Sequence, residues 1–250
     1  MNRNLLTTFI KEKCQEIGFS KSGIAQVDYY KSDKEKLLNW LNKDFHATMG
    51  WMEKNIDKRT NIYNYYPQSK SVISVALNYF TGNSKESHEP PYISNYALGK
   101  DYHIIIKSKL KKLLEEIKSI DNNINGFYCV DTSPIMEREW AQRAGIGWIG
   151  KNTNLITKEF GSWVFLGELI IDYELQYDNP FKEDLCGTCN LCIDECPTDA
   201  IVEPYKLDSN KCISYVTIEH RDEFEVDNMI DLNDWIFGCD ICQEVCPWNI

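Results

Sequence analysis

The cysteines constrain this chain more than anything else in it. Eight of the ten lie between Cys186 and Cys246, in two runs that each close on Cys-Pro. The first reads Cys186-x2-Cys189-x2-Cys192-x3-Cys196-Pro197, and the second Cys239-x2-Cys242-x3-Cys246-Pro247, with Cys212 upstream. The first run has the spacing that sets thiolates on the corners of a 4Fe–4S cube. Two-residue gaps let a tight turn aim three sulfurs at one cube, while the fourth cysteine of such a run ligates the other cluster. The proline stops the chain from continuing as a helix past the ligand. A regular second run needs a cysteine at 236, where the sequence has Ile236, and Cys212 is the spare cysteine of this half. Crossing the last cysteines assigns Cys186, Cys189, Cys192 and Cys246 to cluster one. Cluster two takes Cys196, Cys212, Cys239 and Cys242. Paired cubes form an electron relay, so redox chemistry is expected.

Two other uses of cysteine compete with this reading. A disulfide framework suits a secreted chain, but the N-terminus MNRNLLTTFIKEKC has no apolar run of signal-peptide length. Structural zinc also uses two-residue cysteine pairs, yet it does not explain three evenly stepped cysteines or a Cys-Pro closure that occurs twice. Cys14 and Cys129 stand apart and read as buried thiols. The longest apolar stretch, Trp163 to Ile171, contains Gly167 and Glu168 and is too short to span a bilayer. A cytoplasmic, monomeric protein is expected. The net charge of −11 weighs against a broad nucleic-acid footprint, which needs a basic surface.

Helical and strand patterns alternate ahead of the cysteines. Residues 4–17 read as a helix with Leu6, Phe9, Ile10, Cys14 and Ile17 on one face, and residues 34–45 as a second. Residues 71–80 read as a strand rich in β-branched and aromatic residues. Residues 101–119 read as a helix striped by Ile106, Leu110, Leu113, Leu114 and Ile117. A short strand over 124–130 runs into Asp131-Thr132-Ser133-Pro134, which resembles a helix start with proline at the first position. That helix is expected to reach Ala144 and stop at Gly145. Residues 162–172 form the last strand, and the polar residues 82–91 a loop. The fold class is therefore α/β over residues 1–175, with a ferredoxin-like two-cluster tail over residues 176–250.

Three local patterns bear on chemistry. Gly145-Ile-Gly-Trp-Ile-Gly150-Lys151-Asn152 nearly spells a phosphate-binding loop, but Asn152 stands where a hydroxyl is needed and a helix precedes it. It reads either as a plain turn or as backbone pressed against a flat ligand. Asp101-Tyr102-His103 begins like the motif that supplies cobalamin with an axial histidine, but Ile106 stands where that motif needs glycine. Asp131 ends an apolar strand and is the best candidate for a proton donor. It reads equally as a helix cap, and a helix N-terminus favours its carboxylate whereas an acid needs cover to raise its pKa.

Taken together these segments resemble the epoxyqueuosine reductase family. The most specific blocks are YALGKDYH (Tyr96 to His103), VDTSPIMEREWAQRAGIGWIGKNTNLI (Val130 to Ile156), CGTCNLCIDECPTDAI, KCISYVTIEHR and GCDICQEVCPWN. The resemblance implies a nitroreductase-like α/β domain that holds cobalamin without a protein histidine ligand, beside two 4Fe–4S clusters. It implies reduction of epoxyqueuosine to queuosine at the tRNA wobble position, with electrons passed through the clusters to cobalamin. It places Asp131 as proton donor, and Arg59, Tyr96, Asn154, Ser214 and Asp240 as cobalamin contacts. The implied partners are the tRNA anticodon loop and an electron donor such as ferredoxin or flavodoxin. Members usually continue past CPWN into a helical-repeat domain that helps grip tRNA. This sequence ends at Ile250, so weak tRNA binding is expected, with Lys151 and Arg221 as the cations nearest the mouth of the site. The rival functions are a plain two-cluster electron carrier, a dehalogenase-like corrinoid reductase, and a cobalamin chaperone. The carrier leaves the α/β domain unexplained, and the chaperone has no need of two clusters.

Overall fold

A computed structural model describes residues 2–82, 89–221 and 230–249. The middle of the expected 82–91 loop and the terminal Ile250 lie outside the described residues. The body is built on a four-stranded sheet of order β1-β2-β7-β4. Its strands are β1 (Lys21–Gln26), β2 (Ser71–Asn78), β4 (Gly126–Cys129) and β7 (Val164–Ile171), and every neighbouring pair is antiparallel. The rule that ligands gather at the carboxyl edge of an open α/β sheet belongs to parallel strands and does not bear on the position of Asp131 here.

Helices α1 (Arg3–Ile17) and α4 (Tyr102–Ile120) cover one face of the sheet, and α5 (Glu137–Arg143) covers the other. Helix α1 starts on Asn2, whose side chain accepts the Asn4 N–H at 3.0 Å. It ends at Gly18 with φ 87°, the left-handed value that glycine adopts without steric cost. Its buried stripe of Leu6, Ile10 and Cys14 meets the α4 stripe of Ile106, Leu110, Leu113 and Ile117. Cys14 and Cys129 are both buried thiols. Helix α2 (Lys31–Leu41) stops short of the expected residue 45, where Asp44 and Ala47 take positive φ and break the helical path. Among the described residues no helix is long and apolar enough to cross a membrane.

Asp131 does not cap α5. The helix begins six residues later, and Asp131 itself sits at φ 54°, in a bend that precedes Met136, the N-terminal flanking residue. The proline of Asp-Thr-Ser-Pro opens no helix because the chain first has to turn away from β4.

The cysteine tail has little apolar core of its own. Its elements are the one-turn helices α6 (Leu191–Asp194), α7 (Ile213–Ile218) and α8 (Ile241–Glu244), the hairpin of β8 (Ile201–Glu203) with β9 (Lys206–Leu207), and β10 (Trp235–Phe237). It is fastened to the body by polar bonds and by strand pairing. Strand β10 runs parallel to β3 (Tyr92–Ile93), Trp40 donates its indole N–H to Leu207 O at 2.7 Å, and Ser209 N–H reaches Phe45 O at 2.8 Å. These links cross the boundary expected near residue 175.

One close approach sets the spacing of the layers. A Cβ on Gly23 of β1 would stand 2.0 Å from the Ala144 carbonyl oxygen, so α5 rests directly on the strand backbone. Gly23→Ala must push the helix away, and overpacking of this kind costs about 1–3 kcal/mol. Thermal unfolding of that variant should show a lowered midpoint, and an unchanged midpoint would mean that the layers are looser than this contact.

Candidate functional site

A hairpin and its turn bring the two cysteine runs against the body. Strands β5 (Trp148–Ile149) and β6 (Leu155–Ile156) pair antiparallel, and the residues between them form the turn that resembled a phosphate loop. Its glycines serve the hairpin rather than a flat ligand. A Cβ on Gly147 would lie 2.0 Å from Ile156 O, and one on Gly150 would lie 2.4 Å from Ile156 Cδ1. Lys151 does not face the mouth of the site, contrary to expectation. It is buried, and its ammonium donates to Gly187 O at 2.8 Å, Cys189 O at 2.8 Å and Asn190 Oδ1 at 2.9 Å. Its neighbour Asn152 donates to Cys242 O at 3.1 Å. Adjacent turn residues thus hold one loop from each run.

The eight tail cysteines divide between two cavities. Cys186, Cys189, Cys192 and Cys246 line a small one of about 40 Å³, with Lys151, Asn152 and Trp248 around it. Cys196, Cys212, Cys239 and Cys242 line part of a cleft of about 330 Å³. Burial pushes the Cys212 and Cys242 thiols up, and that of Cys239 to about 12, with neighbouring thiols of the same group adding to the shift. Thiolates crowded together in this way keep their charge only beside compensating positive charge. That is the condition an iron–sulfur core meets, since it binds the thiolate form. The donor sets therefore fit two clusters.

The larger cleft lies between body and tail. Its other walls carry Tyr96, Asn154 and Ser214, together with Met49, Arg138 and Thr153. Three of the five expected cofactor contacts meet here. Asp240 does not reach the cleft through its carboxylate, which is fully buried and already engaged. It accepts from Ser94 Oγ, from Asn95 N at 2.7 Å and Nδ2 at 2.9 Å, and from Gln243 Nε2 at 3.2 Å. It props up the turn that carries Tyr96. Arg59 lies outside the cleft lining, in a polar group that includes Asp131. Burial lowers its pKa, while the charges of Asp131 and Glu137 act to raise it.

Asp131 and His103 are bonded to each other. Asp131 Oδ2 stands 3.1 Å from His103 Nε2, and His103 Nδ1 stands 2.8 Å from Asp101 Oδ1. The imidazole stacks on Tyr102 with ring centroids 4.0 Å apart. Burial lowers the His103 pKa, but the hydrogen bonds to Asp131 and Asp101 outweigh it and the net shift is upward. Tyr96 links this group to the cleft: it lines the cleft wall, and its phenol is pushed up to about 12, by burial first and then by nearby carboxylates that include Asp131. The Asp131 side chain is 57% exposed, so any cover it receives must come from a bound molecule.

The residue patterns did not reveal two features. Arg138, rather than Lys151, is the cation at the cleft, with Nη1 donating to Thr153 O at 2.5 Å. Beneath Asp131 lie two further carboxyls, Glu137 and Glu168, whose signal was a glutamate inside the apolar run from Trp163 to Ile171. Arg221, the second expected cation, is exposed, with Nη2 3.9 Å from Glu219 Oε2.

Comparison with known proteins agrees with this arrangement. Residues 185–249 match the family model of a 4Fe–4S double cluster binding domain, and residues 59–132 match "Epoxyqueuosine reductase QueG, DUF1730". The chain is 46% identical to the epoxyqueuosine reductase of Cyclobacterium marinum over 97% of its own length and 79% of that protein. It is 40% identical to that of Escherichia coli over 100% of its own length and 66% of that protein. Among solved structures, an epoxyqueuosine reductase with an epoxyqueuosine-modified tRNA stem loop superposes with a TM-score of 0.90 at 33% identity. The match covers 99% of this chain and 66% of that one, so the chain spans about two thirds of its solved relatives. A catabolic reductive dehalogenase shares the fold at a TM-score of 0.62 and 16% identity. With both cluster sets, the cleft and these blocks accounted for, the chain belongs to the epoxyqueuosine reductase family and carries its double 4Fe–4S domain.

Proposed function

We propose that this chain reduces the epoxide of epoxyqueuosine in tRNA to the alkene of queuosine. The observation that carries this reading is the cleft itself, walled on one side by Cys196, Cys212, Cys239 and Cys242 and joined through Tyr96 to the Asp131–His103 pair. The α/β part, residues 1–175, holds cobalamin, and residues 176–250 hold the clusters. When bound, the cobalamin and the clusters supply the two electrons that the reduction consumes. The other requirement is two protons, which leave with the epoxide oxygen as water.

Proton delivery is the work of the chain's own residues. Asp131 protonates the opening epoxide oxygen, and general acid catalysis by a positioned side chain contributes about 10²–10⁴ in rate. His103 carries a proton within hydrogen-bond reach of the Asp131 carboxyl and restores it after transfer. Tyr96, Asn154 and Ser214 contact the cofactor in the cleft, and Arg59 neutralises charge beside Asp131. Among the described residues every imidazole is already engaged, so none would hold the cobalt. Supporting this, both ring nitrogens of His103 face carboxylates, His46 pairs with Glu53 and His220 with Tyr215. His88 lies outside the described residues. Cys186, Cys189, Cys192 and Cys246 would hold the cluster that takes electrons from a ferredoxin- or flavodoxin-like donor, and the protein acts as a cytoplasmic monomer.

Mass spectrometry of modified tRNA, after anaerobic incubation with the reconstituted chain, tests the reading. Queuosine should accumulate, and reduction of a halogenated aromatic with no change in tRNA would favour a dehalogenase instead. Asp131→Asn should keep both clusters and cobalamin yet lose about 10²–10⁴ in turnover. Near-normal turnover with full cofactor content would place the acid elsewhere.

His103→Ala should leave the cob(II)alamin paramagnetic resonance spectrum unchanged while slowing turnover. The His103 pKa is raised, so its proton is retained at low pH and lost as pH rises through a value above the usual 6.5. Wild-type turnover should fall through that window, and the limb should vanish in His103→Ala. Nitrogen hyperfine coupling that disappears in the variant would contradict the ligand assignment.

Cys196→Ser should damage the cluster of Cys212, Cys239 and Cys242 and spare that of its sequence neighbours. Loss of the other cluster, read by anaerobic iron analysis and paramagnetic resonance, would overturn the crossed pairing. With a net charge of −11, tRNA affinity should change only shallowly with salt. Steep collapse across a salt series would reveal a large basic surface.

A further inference from the structure

The proton-donor loop rests on a carboxyl pair that the reaction does not itself use. Glu168 lies at the middle of β7, opposite Ser74 of β2 and Cys129 of β4, and is fully buried. It points to the sheet face that α5 covers, as do Leu166 and Ile170 on either side of it. Ser74 Oγ donates to its Oε1 at 3.3 Å, while its Oε2 meets no protein donor. The carboxyl of Glu137, in the first turn of α5, lies close enough to interact with it. Two carboxylate oxygens have no hydrogen to share, and two like charges in a buried site repel, so such a pair persists only with a proton between them. Burial and mutual repulsion both push Glu168 up, and burial pushes Glu137 up to about 7.

The pair acts on one specific group. Glu137 Oε1 accepts the backbone N–H of Asp131 at 2.6 Å. That residue needs holding, because its φ of 54° is a left-handed conformation that side-chain-bearing residues rarely adopt. Such strain persists only where the surroundings impose it. The backbone bonds in the bend itself are Thr132 N–H to Val130 O at 2.6 Å and Ile135 N–H to Ser133 O at 2.8 Å, neither of which uses an Asp131 group. The geometry points to Glu137 as the positioning residue of the proton donor: its carboxyl holds the Asp131 backbone in the left-handed bend, and the proton shared with Glu168 holds that carboxyl. This rests on the reading of Asp131 as the acid, but the arrangement can be tested without any substrate.

Two measurements on the full chain, loaded with its clusters and cobalamin, decide it. Hydrogen exchange reports the Asp131 amide. Glu137→Ala removes its acceptor and should speed exchange about tenfold, the loss of one charge-assisted hydrogen bond. Glu137→Gln keeps a carbonyl oxygen for that N–H and should stay close to wild type, a rescue that a merely space-filling role would not produce. Infrared spectroscopy reports the shared proton. A protonated-carboxyl band should be present at neutral pH in the wild type and missing in Glu168→Gln, where the amide N–H replaces the shared hydrogen. With tRNA substrate, Glu137→Ala should lower kcat about tenfold or more and leave KM unchanged. Unchanged Asp131 exchange in Glu137→Ala, or a protonated-carboxyl band that survives in both glutamine variants, would overturn the proposal. If the alanine variant fails to fold, the infrared comparison of the two glutamine variants still decides. Failure of the tRNA reaction in the wild type would count against the proposed function and leave these readouts standing.

Discussion

Four crowded thiols cannot all carry charge unless a cation compensates them, and the tail of this protein is built around two such sets. The apolar cluster it shares with the body is small: Trp148 and Ile156 of the hairpin with Cys246 of the tail, and Phe181, Leu185, Cys186 and Trp248 packed against them. That is far too little burial to order some sixty residues by hydrophobicity alone. The crossing of the cysteines turns this weakness into rigidity. Cys196 follows the first run but lines the second cavity, and Cys246 ends the second run but lines the first. Each cavity is therefore closed by both segments, and neither run can be displaced without opening both. Lys151 and Asn152 extend the arrangement into the body, because one hairpin turn of the α/β part grips a loop from each run.

The same economy shapes the site. The cleft lies where tail meets body, so its walls combine cysteines from one unit with Tyr96 and Asn154 from the other. Charge in this region is arranged in pairs. Asp131 faces His103, Arg59 lies near Asp131 and Glu137, and Glu137 faces Glu168. Buried polar groups are expensive unless partnered, and here the partners form a chain from the sheet interior to the cleft. Asp131 is exposed in its side chain and restrained in its backbone, an arrangement that would suit a group that must meet a large substrate yet keep one orientation.

The sequence made the cysteine logic legible because ligand spacing is local and few alternatives share it. The stripes of α1 and α4 were equally plain, since apolar residues at helical period have one use. The conformation of Asp131 was misread. Asp-Thr-Ser-Pro is a cap signature, and only the chain's need to leave β4 before α5 begins displaces the helix to Glu137. Lys151 was misplaced for a related reason: a lysine in a glycine turn looks available to solvent, and nothing local reveals three acceptors from residues 187–190 folded over it. The antiparallel sheet was hidden too, because alternating helix and strand patterns do not carry strand direction. Glu168 left a trace as the one charge in an apolar run, and its partner lies 31 residues earlier, beyond the reach of periodicity.

The layout of the main sheet has a consequence for how the protein is made. All four of its strands lie between Lys21 and Ile171, so the platform is complete before the first tail cysteine leaves the ribosome. The parallel partnership of Tyr92–Ile93 with Trp235–Phe237, by contrast, joins positions about 140 residues apart and must wait until the tail has been made. Strand β3 is therefore a reserved berth, left open on a folded body until the tail arrives. The topology thus sets an order in time: scaffold first, docking of the tail second.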